Sequence, residues 1–202
     1  MMLYARFKVA MRGFWQETKG SVTVETVLAI PLLFWSMAAT FEFFEVHRYK
    51  SAREKATYTI ADMISRETAG DGLTSVYIDN AKLLFDEISN DDSENQIRVS
   101  IIRYDQTADV YEVSWSEVRG TAGNLTPMST AQADSQRDRL PLLNHFEEVI
   151  LVESESTYVP MLQAALADIP IETRSFTSIR FAPQMCFEGL CGPDQVAPPP
   201  NT

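Results

Sequence analysis

Apolar and polar residues are distributed along this chain in three successive regimes. Residues 20–46, GSVTVETVLAIPLLFWSMAATFEFFEV, are apolar almost throughout, and between Val22 and Phe41 the only charge is Glu25. At 1.5 Å rise per residue that stretch makes a helix of roughly 30 Å, the thickness of one hydrocarbon core. Residues 48–68 then change to an amphipathic pattern. Ala52, Ala56, Ile60, Met63 and Ile64 recur three and four positions apart with charges between them, so the same helix is expected to run on beyond the span. Gly70, Asp71 and Gly72 stop it. A second helix is expected over residues 74–88, where Tyr77, Ala81, Leu84, Phe85 and Ile88 form a stripe and Thr74 or Ser75 can cap.

From residue 97 the period falls to two. Ile97, Val99 and Ile101 alternate with Arg98 and Ser100, and Tyr111, Val113 and Trp115 mark a second strand within residues 110–118. DQTAD between them reads as a hairpin connection. Residues 120–139 form a polar excursion with a short helix expected inside residues 130–143; residues 148–159 and 171–181 supply two further strands, joined by a helical patch around 161–167. The fold class read from this order is α+β: a long membrane-spanning helix continuing into a domain with a second helix and an antiparallel meander of about four strands. The corresponding division is a leader over 1–20, a span over 21–46, a domain over 47–192 and an extended Pro-rich tail over 193–202.

Composition narrows the function classes. The chain has 202 residues, 45% hydrophobic and 22% charged, which allows one modest folded domain besides the span. Arg6, Lys8, Arg12 and Lys19 against Glu17 give residues 1–20 a charge of +3, leaving −14 on the rest of a chain whose net charge is −11. So acidic a body repels phosphate backbones, and nucleic acid is not an expected partner. The two histidines, His47 and His145, read as structural or solvated. Ser154 and Ser156 have no base at a recognisable spacing, and the acidic runs around them read as a solvated face. The polar run SNDDSEN at 89–95 lacks the spacing and the glycine of a calcium loop. With no phosphate loop and no zinc pattern, neither an enzyme nor a cofactor is expected.

Three features inside the span are unusual for a plain anchor: Gly20 followed by Ser21, Glu25 five residues along from Ser21, and Pro31 in the middle. A carboxylate at the centre of a spanning helix costs about 2.5–3.5 kcal/mol, less near an end. Glu25 either reaches water at the interface or has a partner. Cleavage between Gly20 and Ser21 would create an α-ammonium one turn from Glu25, available to pair with the carboxylate of a neighbouring subunit. Pro31 removes its own N–H and crowds the carbonyl of Val27, which allows a kink or a locally opened turn.

At these residues the chain resembles prepilins and pseudopilins cut on the cytoplasmic side by a prepilin peptidase. The fuller string, G-S-V-T-V-E followed by A-I-P-L-L and F-E-F, is similar to the TadE-like pseudopilins of the tight-adherence (Flp) pilus system over residues 20–49. Thr26 stands where the major Flp pilins usually carry Tyr, which points to the minor, assembly-type branch. The resemblance implies a minor pilin of the bacterial inner membrane, with a periplasmic carboxyl domain and processing at Gly20 and Ser21. Its implied partners are the prepilin peptidase, sibling pseudopilins and the assembly machinery, in a hetero-oligomer, with incorporation into a surface pilus a further step.

Two rivals to this reading stay open. A secretory signal peptide would be cut after Ala38, at Ser36-Met37-Ala38. An uncleaved signal anchor would instead make the chain a single-pass periplasmic sensor or scaffold. Basic residues flank the span on both sides, Arg48, Lys50, Arg53 and Lys55 matching those before it, so charge alone does not orient it. Cys186 and Cys191, in CFEGLC, would close a small disulfide loop in an oxidising compartment, worth about 2 kcal/mol. Two free thiols or half of a metal site are the alternatives, and no second Cys or His cluster completes such a site.

Overall fold

Helix α1, Ser21–Ser65, is a single 45-residue run that carries Pro31 inside it. The computed structural model describes residues 21–68, 72–90, 95–121, 123–161, 163, 167–189 and 191. Contacts divide the chain into two units, Met1–Glu45 and Val46–Thr202. Among the described residues α1 is the one helix long and apolar enough to cross a membrane. In its first unit the large side chains are left uncovered, with Leu28, Leu32, Trp35 and Met37 each about 70% exposed. The hydroxyls there turn back on their own backbone: Thr26 donates to the Val22 carbonyl at 2.7 Å and Thr40 to Ser36 at 2.8 Å.

The second unit is α+β. Helix α2, Ser75–Ser89, starts where the Thr74 hydroxyl accepts from the Tyr77 N–H and ends at Asn90, whose φ of 47° is the left-handed stop. Strands β1 (Gln96–Asp105) and β2 (Val110–Arg119) form the expected hairpin. Its turn is held by the Asp105 carboxylate, which accepts from the Thr107 and Ala108 N–H groups and is thereby held below the usual carboxylate range. A short helix α3 (Thr130–Ser135) and a 3-10 turn (Arg137–Arg139) follow, then β3 (Glu148–Tyr158) and β4 (Ile169–Ser178).

The strand order is β2-β1-β3-β4, all neighbours antiparallel, which corrects the expected meander. The excursion after β2 returns β3 to the free edge of β1. On β2, the Tyr111 N–H donates to Asp134 and the Val113 N–H to the Thr130 hydroxyl, so α3 occupies the place a meander's third strand would take. Ser114 is the extra residue of a bulge between the Ile101/Trp115 and Ile102/Val113 pairs.

Both faces of the sheet are packed. On one, Ala56, Ile60, Ala61 and Ile64 of α1 meet Ile78, Ala81 and Phe85 of α2 over Ile97, Val99, Ile101, Ile150 and Val152. On the other, Ile102, Val149 and Leu151 pack with Tyr111, Met128 and Ala133. A strand covered on both sides cannot have a solvated face, so Arg98 and Ser100 are buried, against the alternation expected for them. Ile78 belongs to the α2 core stripe, which the sequence reading omitted, while Tyr77, Leu84 and Ile88 lie at its margin. The leader, Gly20, Gly70 and Asp71, most of the SNDDSEN loop, most of the 161–167 patch and the tail lie outside the described residues.

Candidate functional site

The residues singled out in the span occupy one stretch of helix. Ser21 lies in α1 with Glu25 one turn on, exposed, and Pro31 further along; Gly20 is outside the described residues. Leu28 and Leu32, each about 70% exposed, continue the apolar surface beyond Glu25. Between Val22 and Phe41, α1 therefore presents one carboxylate on a largely apolar helix surface, an arrangement suited to pairing with a cation or to reaching an interface.

Cys186 and Cys191 form a disulfide. The segment that carries it is pinned from several sides. The Leu73 N–H donates to the Cys186 carbonyl and the Glu188 N–H to the Leu73 carbonyl, both at 2.8 Å, making a short parallel bridge beside the start of α2. The backbone there comes so close that a Cβ on Gly72, at φ 73°, would lie 2.8 Å from the Cys186 oxygen. The Trp115 indole donates to the Met185 carbonyl at 2.7 Å, and the Met185 N–H donates to Glu148 at 3.0 Å. Glu148 also accepts from Ser114 at 3.2 Å and faces Arg103 across the β1/β3 pair. Burial pushes its carboxyl up in pKa, and the Met185 N–H, Ser114 and Arg103 oppose that shift.

Two buried polar assemblies went unread in the sequence. Between α1 and the sheet, Arg53 is fully buried: it donates to the Ser156 hydroxyl at 2.7 Å and to Asn95 at 3.3 Å, and its guanidinium lies 3.1 Å from the centre of the Tyr49 ring. One turn on, the Thr57 hydroxyl bonds the Thr173 hydroxyl at 2.7 Å, which in turn bonds Ser154 at 2.7 Å. Ser154 and Ser156 thus face the helix rather than water. The second assembly crosses the opposite face, where Arg98, Glu153 and Arg174 sit side by side on β1, β3 and β4. Glu153 accepts from Arg98 and from Arg174, the latter at 3.2 Å, and both Arg98 and Glu153 are buried. The acidic run in β3 is therefore in part interior, a correction to the solvated face expected of it. Its signal in the sequence is the opposite charge at a matching position in two flanking strands, which becomes visible only once the strand order is known.

His145 accepts the Gln106 N–H at 3.0 Å and so fastens the hairpin turn, while His47 is exposed on α1. Among the described residues no group of three His, Cys, Asp or Glu is placed to hold a metal ion. Beside the Arg98 to Arg174 row a polar cleft of about 530 Å³ opens, bordered by Arg139, Glu155 and Glu172. Set against family models, curated proteins and solved structures, the chain matches none of them.

Proposed function

We propose that the chain is a minor pilin or pseudopilin of TadE-like type, held in the bacterial inner membrane and working in the assembly of tight-adherence pili. The observation that carries this reading is helix α1. Its first part is an exposed apolar surface with one early carboxylate, and its second part is the packed core helix of an α+β domain. A helix that serves a membrane and a soluble core in turn is the pilin layout that the string around Gly20, Ser21 and Glu25 resembles. The disulfide supports a periplasmic carboxyl domain, since such bonds persist in oxidising compartments.

In this reading the peptidase removes residues 1–20, and Glu25 pairs with the new ammonium of Ser21 on a neighbouring pseudopilin. Pro31 relaxes the helix among packed neighbours. Coexpression with a prepilin peptidase followed by intact-mass measurement tests it: the product should start at Ser21. A start at Ala39 means a secretory signal, and an uncut Met1 means an anchored sensor or scaffold. Glu25→Ala should still insert but drop out of the pseudopilin complex on co-purification, and Pro31→Ala should insert normally with altered complex formation.

A further inference from the structure

The outer edge of β4 is open. In the β3/β4 register Pro170 lies opposite Thr157, and with no N–H to give it fits a position whose nitrogen faces away from β3. Alternation then turns the N–H and C=O groups of Glu172, Arg174 and Phe176 outward as well. Among the described residues nothing bonds them there, in contrast to the edge of β2, which α3 occupies.

The side chains of the same three residues share the cleft face, and the charges of that face are left incomplete at the edge. The row Arg98, Glu153, Arg174 alternates plus, minus, plus across β1, β3 and β4 and stops on a cation. One rung away Glu155 and Glu172 lie opposite each other, like charges on neighbouring strands, and among the described residues neither makes an ion pair. The cleft of about 530 Å³ opens beside them, with Arg139 as a further cation on its border. Phe176, in contrast, packs at the margin of the apolar cluster around Ile102 and Leu151.

We propose that β4 binds an extended segment of another protein, added antiparallel as a further strand, with an apolar residue opposite Phe176, an acid opposite Arg174 and a base opposite Glu172. Read from its amino end the segment runs apolar-x-acid-x-base. Each of the three residues exchanges both N–H···O bonds with β4, which gives affinity, and the side chains give specificity. The acid continues the alternating row, the base relieves the Glu155/Glu172 rung, and the cleft has room for both. A second β4 is not the occupant. Helix α1 advances beside β4 in the same direction, with Thr57 bonding Thr173 and Ser65 accepting from the Arg180 N–H, so antiparallel pairing of two β4 strands would reverse one α1 against the other. Two copies anchored in one membrane cannot meet in that way, whereas an extended segment of a different protein carries no such constraint. A charged edge with a proline also serves to ward off strand pairing. A guard needs no order of charge, while a docking edge accepts one order and refuses the other.

The full chain in detergent micelles is titrated against a labelled synthetic peptide with Val-Thr-Glu-Thr-Lys at its centre, and against the isomer with Val-Thr-Lys-Thr-Glu, by fluorescence anisotropy. Equal composition cancels any uptake of peptide by the micelle. The first peptide should bind about tenfold or more tightly than its isomer, and should protect the Arg174 and Phe176 amides from hydrogen exchange. Joint replacement Glu172→Lys and Arg174→Glu should reverse the preference. N-methylation of the peptide's Glu, whose N–H faces β4, should abolish binding, while N-methylation of the Thr that follows it, whose N–H faces away, should not; this arm leaves the protein unaltered and does not depend on a variant that folds. Absence of binding by either peptide overturns the proposal and leaves β4 a guarded edge. Equal binding of the two peptides, preference of the native chain for the isomer, or Arg174 and Phe176 amides that still exchange freely overturn it as well.

Discussion

The two parts of α1 are made of similar residues and put them to opposite use. In the first, Leu28, Leu32, Phe34 and Trp35 are left uncovered; in the second, Ala56, Ile60, Ala61 and Ile64 have no exposed surface at all. Polar groups invert with them. Thr26 and Thr40 bond their own backbone, whereas Arg53 and Thr57, which also bond the backbone one turn back, reach across to Ser156 and Thr173 on the sheet. Hydrophobicity alone therefore says little about what a stretch of helix is for. The distinguishing feature is whether its polar groups also find partners at long range, as they do where a sheet supplies them.

The widest separation between the two parts should come from one substitution made in each. Ile60→Asp puts an unpaired charge among Ile64, Ile78 and Phe85, and should abolish cooperative unfolding of the domain in near-UV circular dichroism. Leu32→Asp should leave that transition in place and instead lower membrane integration, at a cost of about 2.5–3.5 kcal/mol on the insertion scale. Equal loss of domain melting in both variants would mean that the first part of α1 is also a core element.

Next in size is Glu153→Ala, which strands Arg98 in the interior and should cost about 3–5 kcal/mol of unfolding free energy in a urea titration. Replacing the same residue by Gln keeps an acceptor for Arg98 and should cost less. An equal loss for both would show that shape, and not the missing charge, carries the effect.

Arg53→Leu probes the seam between α1 and the sheet. Ser156 and Asn95 lose their donor and the Tyr49 ring its cation, for roughly 1.5–3 kcal/mol. Amide exchange should quicken in residues 49–57 more than in α2. Uniform acceleration over the whole domain would make Arg53 a global rather than a local fastening.

The smallest effect is expected at Glu148, whose carboxyl is raised in the fold by burial. A raised carboxyl favours the protonated folded state. Stability from this group is therefore present at pH below the ordinary Glu value, declines as pH rises through that value toward the raised one, and stays low above it. Glu148→Gln should thus gain slightly on the native chain at neutral pH in thermal melts, and the gap should close on acidification to about pH 4. A variant that is weaker at neutral pH would mean that the bonds from Met185 and Ser114 outweigh the burial.

Much of this architecture was legible in local pattern. The 3.6-residue period of Ala56, Ile60 and Ile64, the cap at Thr74, and the two-residue period of β1, β2, β3 and β4 each follow from neighbours within a few positions. So does the apolar run with its single carboxylate at Glu25, because length and hydropathy are sums over one segment. The Cys186–Cys191 bond closes over so few residues that spacing alone proposed it, although thiols and a metal stayed open until the structure joined them.

Tertiary structure decided what depends on partners far apart in the chain. In the order β2-β1-β3-β4, α3 lies at the edge of β2, where Asp134 and Thr130 accept from the Tyr111 and Val113 N–H groups. Only with that order fixed do Arg98, Glu153 and Arg174 fall into one row, and only then do residues that read as a solvated face become interior. Burial of a charge is a property of an assembly of strands, because its cost is met by groups that the sequence places 21 and 55 residues away.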